Sequence, residues 1–170
     1  MIKQFSLYIF VVFLSIVALS CGSSSVSSVK GSLPPNIKIA LAPSGGVLAD
    51  AIGVELFNRG YTIFDTNQMS NMLVTLNLSE IEMMTPKSLK LIHDRGIDAI
   101  ISVKAVSGSD GNPQSASIRI NSTSTGEILA GLSWQNGWGG QEGSILDRSM
   151  RKGLAESAKE IVNYLIKDSH

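Results

Sequence analysis

The chain has 170 residues, 44% of them hydrophobic, and its fourteen basic and fourteen acidic side chains cancel to a formal net charge of zero. That length, less a removable start, suits one domain, and the absence of any block of like charge excludes an electrostatic case for nucleic acid or for a polybasic membrane patch. A single cysteine excludes an internal disulfide, and two histidines with no paired-cysteine spacing offer a metal little.

The first twenty-one residues read MIKQFSLYIFVVFLSIVALSC. Lys3 gives a positive start, residues 5–19 are apolar apart from Ser6 and Ser15, and the small Ser20 precedes Cys21. A charged region, a short apolar run and a small-residue cleavage site describe a secretory signal. The run is shorter than the ~20 residues of a spanning helix. Ala18-Leu19-Ser20-Cys21 resembles the lipobox of bacterial lipoproteins. That resemblance implies cleavage after Ser20, a covalent lipid such as palmitate on Cys21, and no other cofactor. An ordinary signal followed by an incidental cysteine, or an uncleaved anchor, is the alternative. A free thiol is a liability in an oxidising envelope, which suits a cysteine consumed by lipid.

Residues 22–35 are rich in Ser and Gly and end in Pro34-Pro35, the composition of a flexible leader that stiffens toward its end. The expected division is therefore a signal peptide over 1–20, a lipidated leader over 21–36 and one globular domain over 37–168.

Residues 37–42 alternate as a first strand, halted by Pro43-Ser44-Gly45-Gly46. Leu48, Ile52 and Leu56 share one face of a helix that Gly60 stops. A short strand over 61–64 completes a βαβ unit. Asp65 or Thr66 caps a helix carrying Met69, Met72, Leu73 and Leu76. Thr85-Pro86 opens another helix, which carries Leu89 and Ile92 and closes at Gly96. Residues 99–106 form the best single strand. Residues 115–121 and 128–134 alternate around a glycine-containing turn and predict an antiparallel hairpin. Asn136 to Gly143 reads as a glycine-rich loop with Trp138 in its middle, and a last helix, opened by Ser144 with Asp147, runs to about Lys167. The order β-α-β-α-α-β-β-β-α predicts an α/β (α+β) fold, a mixed sheet of about five strands covered by helices.

Three phrases in that order carry a family resemblance: residues 37–42 leading into Leu48-Ala49-Asp50, the stretch RGIDAII over 95–101, and the turn STGEIL over 124–129. Together they resemble the domain shared by the curli-secretion lipoprotein CsgG, the N-terminal domain of TolB and the lipoprotein activators of penicillin-binding proteins. The resemblance implies a non-catalytic outer-membrane lipoprotein that faces the periplasm and assembles with itself or with another envelope protein. CsgG-like pores add long membrane hairpins of about 9–11 residues per strand; here the one such hairpin, residues 115–134, is needed by the sheet, so no pore is expected.

Candidate chemistry is sparse. Ser44, Gly45 and Gly46 before a helix offer backbone N–H groups to an anion, yet match no phosphate-binding fingerprint, and a plain strand-to-helix turn is the favoured reading. His93, with Asp94 beside it and Glu80 and Glu82 upstream, lacks any accompanying nucleophile motif, and a cation at a helix end explains it. Met69 and Met72 read as core, Met83 and Met84 as an adaptable partner-binding surface, and Trp138 as an exposed anchor or else a side chain folded back on the core. The chain thus reads as a protein-binding accessory or assembly factor of the envelope. A ring-forming subunit of a secretion or surface-organelle base and a small-ligand or anion binder are the alternatives.

Overall fold

The computed structural model describes residues 24–108, 111–137 and 151–166. Strands β1 (Ser25–Lys30), β2 (Lys38–Leu41), β3 (Thr62–Phe64), β4 (Ala99–Ser107), β5 (Pro113–Ser122) and β6 (Ile128–Gln135) form one six-stranded sheet. Its helices are α1 (Gly46–Asn58), α2 (Thr66–Thr75), α3 (Pro86–His93) and α4 (Leu154–Ile166), with a 3-10 turn, Pro43–Gly45, before α1. The strand order is β1-β6-β5-β4-β2-β3, with β2 parallel to both β3 and β4 and the remaining pairs antiparallel. The expected mixed α/β architecture is therefore present, with one strand more than the sequence pattern predicts.

Alternation along the strands sorts the core into two layers. Ile39, Leu41, Ile101, Ile118, Leu132 and Trp134 face one way and pack with α1 and α4. Ala40 and Ile100 face the other way and pack with Met69, Leu73, Leu89 and Ile92 of α2 and α3. The second layer covers only the start of β4 and its neighbour β2. Farther along, the face bearing Ser102, Lys104, Ser117, Arg119 and Ser133 is not buried.

Local chemistry explains where the helices start. Asp65 caps α2 reciprocally: its carboxylate accepts from the Gln68 N–H at 2.7 Å while the Gln68 side chain accepts from the Asp65 N–H at 2.9 Å. Thr85 caps α3 with Pro86 at its first position. In the β5–β6 turn Gly126 adopts φ +76°, a conformation that costs glycine nothing. The last helix departs from expectation. Arg151–Gly153 is not helical and α4 begins at Leu154, while Ser144 and Asp147 lie outside the described residues.

The leader also departs from expectation. Residues 25–30 pair antiparallel with β6, with Ser25 opposite Gln135 and Lys30 opposite Gly131. Val26 stands opposite Trp134 and Val29 opposite Leu132, both core positions. Val26 packs against that core, and a register shift between Val26 and Ser28 interrupts the regular pairing before Val29. Gly31 ends the strand at φ +74°, where a Cβ would lie 1.9 Å from the Leu129 carbonyl oxygen. Leu33 is then buried, its N–H donating to the Leu165 carbonyl at 2.8 Å.

A polar knot ties β1 to α4. The Lys152 ammonium donates to the Ser24 hydroxyl at 2.8 Å and pairs with Glu160 at 3.0 Å; the Trp134 indole N–H donates to Glu160 at 2.9 Å, and the Ser24 hydroxyl donates to the same carboxylate. Partial burial pushes the Glu160 pKa upward, but the hydrogen bonds from Ser24, Trp134 and Lys152, with the Lys152 charge, outweigh it and hold the carboxyl below its usual range.

Candidate functional site

Helix α1 has two apolar sides. Leu48, Ala49, Ile52, Gly53 and Leu56 are buried, whereas Val47, Val54 and Phe57 stand 64%, 63% and 67% exposed. Positions 47, 54 and 57 lie within about 80° of one another on a helix of 3.6 residues per turn, and span about 15 Å along its axis. Asp50 falls in the same sector, so the exposed side of α1 is apolar with one carboxylate in it.

Beside this stripe lies a cavity of about 380 Å³, between α1 and the link from β3 to α2. Leu41, Gly53, Val54, Phe57 and Ile63 supply its apolar lining, and Asp50 and Asp65 its acidic rim. Each carboxylate has one partner, the Thr66 hydroxyl on Asp50 at 3.1 Å and the Gln68 N–H on Asp65 at 2.7 Å. An ionised carboxylate accepts several hydrogen bonds, so both retain capacity for an incoming donor.

Ile81 is a further exposed apolar residue, on the turn that hydrogen-bonded Glu80 ties to the segment before α1. It is 93% exposed at the tip of a braced turn. On one side the Glu80 carboxylate accepts the Ser44 N–H at 2.9 Å. On the other, Glu82 accepts the Ser79 N–H at 3.0 Å and the Ser79 hydroxyl at 2.6 Å, which together hold its carboxyl below the usual range. Val47 is the second residue of α1, three after Ser44, so the Ser44–Glu80 bond links the Ile81 turn to the start of α1. A large aliphatic side chain fixed by hydrogen bonds on both flanks meets a partner with little further loss of backbone freedom.

The residues expected from sequence fall differently. Cys21 and Trp138 lie outside the described residues. Met83 is not a surface residue: at 2% exposure it fills the layer under α2 and α3, because its turn folds back onto Met69 and Leu89. Met84 alone of that pair reaches solvent, at 36%. At Ser44, Gly45 and Gly46, the first N–H is occupied by Glu80 and the second donates to the Ala42 carbonyl at 3.1 Å. The protein's own carboxylate thus stands where the anion was expected. Val47, Val54, Phe57 and Ile81 were missed, although α1 carries a signal in its sequence: GVLADAIGVELFN has apolar residues on more than one face.

A second groove, of about 630 Å³, lies between α3 and the β5–β6 turn, lined by Met84, Leu89, Lys90, His93 and Glu127 among others. His93 Nδ1 is 3.1 Å from the Thr123 hydroxyl. That hydroxyl lies 2.6 Å from the Ile97 carbonyl and 2.9 Å from the Asp98 carbonyl, so its one proton points to backbone. It accepts from His93 rather than yielding a proton to it, the reverse of an activated nucleophile. Glu80 accepts from the Ser44 N–H and Glu82 from Ser79, and neither is bonded to His93. Among the described residues no group of three or more His, Cys, Asp or Glu is placed to hold a metal, and no helix is long and apolar enough to cross a membrane.

No family model matches the chain and no curated protein matches it. Among solved structures it is similar to the PelC dodecamer from Paraburkholderia phytofirmans, at 13% identity and a TM-score of 0.47, over 86% of this chain and 100% of that one. It is also similar to the lipoprotein GNA1162 from Neisseria meningitidis, at 18% identity and a TM-score of 0.46, over 74% of this chain and 96% of that one. These are likenesses in the path of the chain, and they say nothing of what it binds.

Proposed function

We propose that this chain is a non-catalytic lipoprotein of the outer membrane, acylated at Cys21, whose periplasmic body docks another envelope protein on the outer side of α1. The observation that carries the docking is the exposed apolar set Val47, Val54 and Phe57 on α1, with Ile81 exposed on a turn tied to the segment before that helix. Single exposed apolar residues need no explanation, but Val54 and Phe57 together line one largely apolar cavity, which suits an interaction surface. The acidic rim fits a partner segment that offers an apolar side chain flanked by Lys or Arg. The lipobox-like start supports the anchoring. Met84 and Trp138 remain proposed contacts of lower rank, and the anion site at Ser44 to Gly46 has less support, since Glu80 already fills it.

A photo-crosslinking amino acid at position 54, compared in cells with one at position 119 on the exposed sheet face, tests the site. A discrete adduct at 54 that is absent at 119 and lost in the Phe57→Asp variant is expected. Equal adducts at both positions, or an adduct indifferent to Phe57→Asp, would remove α1 from the reading.

Self-association is favoured by a separate observation. The strand order leaves β1 and β3 at the two edges of the sheet, and edges with unpaired N–H and C=O groups are templates for another copy. Light scattering on residues 23–170 separates the two readings, since a large closed oligomer fits a ring-forming subunit and a monomer fits a docking module.

A further inference from the structure

We infer that the end of the sheet carrying Ser25, Gln135, Ser115 and Val106 rests on the phospholipid surface, and that the groove at the β5–β6 turn points away from it. This rests on the reading that Cys21 carries lipid, and adds to it an orientation. Ser24 is already part of the folded body: its hydroxyl is bonded to Lys152 and Glu160, and β1 begins at the next residue. Only Gly22 and Ser23 separate Cys21 from it.

Three residue steps reach at most about 11 Å, at ~3.6 Å per step. The headgroup layer on each side of a bilayer is about 5–8 Å thick, half the difference between the total and the hydrocarbon thickness. A lipid whose acyl chains lie in the hydrocarbon therefore spends most of that reach on the headgroups. The body has no room to stand off or to tumble on a slack tether.

Register then decides which end is down. Ser25 pairs with Gln135, Gln135 with Ser115, and Ser115 with Val106, one row across four strands. At the other end Ala99 pairs with Ser122, seven residues along β4 from Val106. At ~3.4 Å per residue the two rows are about 24 Å apart. The row near the anchor bears no charge, and Val106 in it is 58% exposed. None of β1, β4, β5 and β6 contains an acidic residue, whereas Lys30, Lys104 and Arg119 lie on them. Within the strands that balance suits an anionic interface, the one acidic residue of the β4–β5 link being Asp110.

The test uses the full, processed chain in vesicles of phosphatidylcholine and phosphatidylglycerol that contain a lipid with a quencher on its headgroup. A fluorophore is attached in turn through Val106→Cys and Glu127→Cys, Cys21 being blocked by its lipid. The protein is expected to float with the vesicles and to be quenched at least twofold more at position 106 than at 127. A flexible Gly-Ser spacer of about ten residues between Gly22 and Ser23 is expected to abolish the difference while flotation persists. Flotation with equal or reversed quenching overturns the orientation and leaves the lipid anchor standing; unchanged quenching with the spacer overturns the short reach as its cause. Failure to float, with no lipid on Cys21 by mass spectrometry, overturns the anchor itself and this inference with it.

Discussion

Glu160 is the residue on which the attachment of the first strand turns. Its carboxylate collects the Trp134 indole, the Lys152 ammonium and the Ser24 hydroxyl at one point between β1, β6 and α4. Glu160→Gln leaves Lys152 without its counter-charge, and a loss of about 1–3 kcal/mol is the usual cost of stripping one member from such a set. The pH dependence has a definite sign. A carboxyl held below its unfolded value of about 4.3 adds stability above that pH and loses it as pH falls through the folded value. Thermal melts between pH 3 and 7 should therefore show a shallower acid limb in Glu160→Gln than in the parent; identical limbs would show that the group contributes nothing. Gly31 is the second sensitive residue. Alanine there brings a left-handed cost of about 1–2 kcal/mol and a Cβ at 1.9 Å from a backbone oxygen of β6. A denaturant-melt loss of at least about 2 kcal/mol is expected for Gly31→Ala, against a near-neutral result if β1 were loose.

Among elements, β1 separates what the sequence makes legible from what it hides. β4 and the β5–β6 hairpin are visible because their alternation is unbroken over many residues, and α2 and α3 because their caps are written in short motifs. β1 is hidden for two reasons: its serines mimic a linker, and the register shift between Val26 and Ser28 breaks the even pairing that a two-residue alternation would reveal. The docking surface was legible only in part. Composition marks Met83 as adaptable, but burial depends on how residues 78–85 fold back over α2, which no local pattern encodes. Ile81 gave no signal, because a lone isoleucine between two glutamates acquires meaning only when both carboxylates are found bonded. Deleting the chain through Lys30 distinguishes a strand from a leader. It uncovers the edge of β6 beside Trp134 and Leu132, and a fall in melting temperature of at least about 4 °C is expected; an unchanged melt would restore the flexible-leader description.

For the whole molecule, the expected pattern is that stability and docking respond to different residues. Phe57→Asp and Ile81→Asp alter exposed positions, and such changes usually cost less than about 0.5 kcal/mol. Both variants should melt within about 2 °C of the parent while losing the adduct formed at position 54; a variant that loses its fold along with the adduct would mean that these side chains serve packing instead. The antiparallel seam between β1 and β6 also has a bearing on biogenesis. Ser25 meets Gln135, so the strand nearest the N-terminus has no neighbour until the chain has been delivered as far as β6. Contacts so distant in sequence form late. On the proposed lipidation of Cys21, an enzyme acting there during export would consequently do so before β1 has found its partner strand.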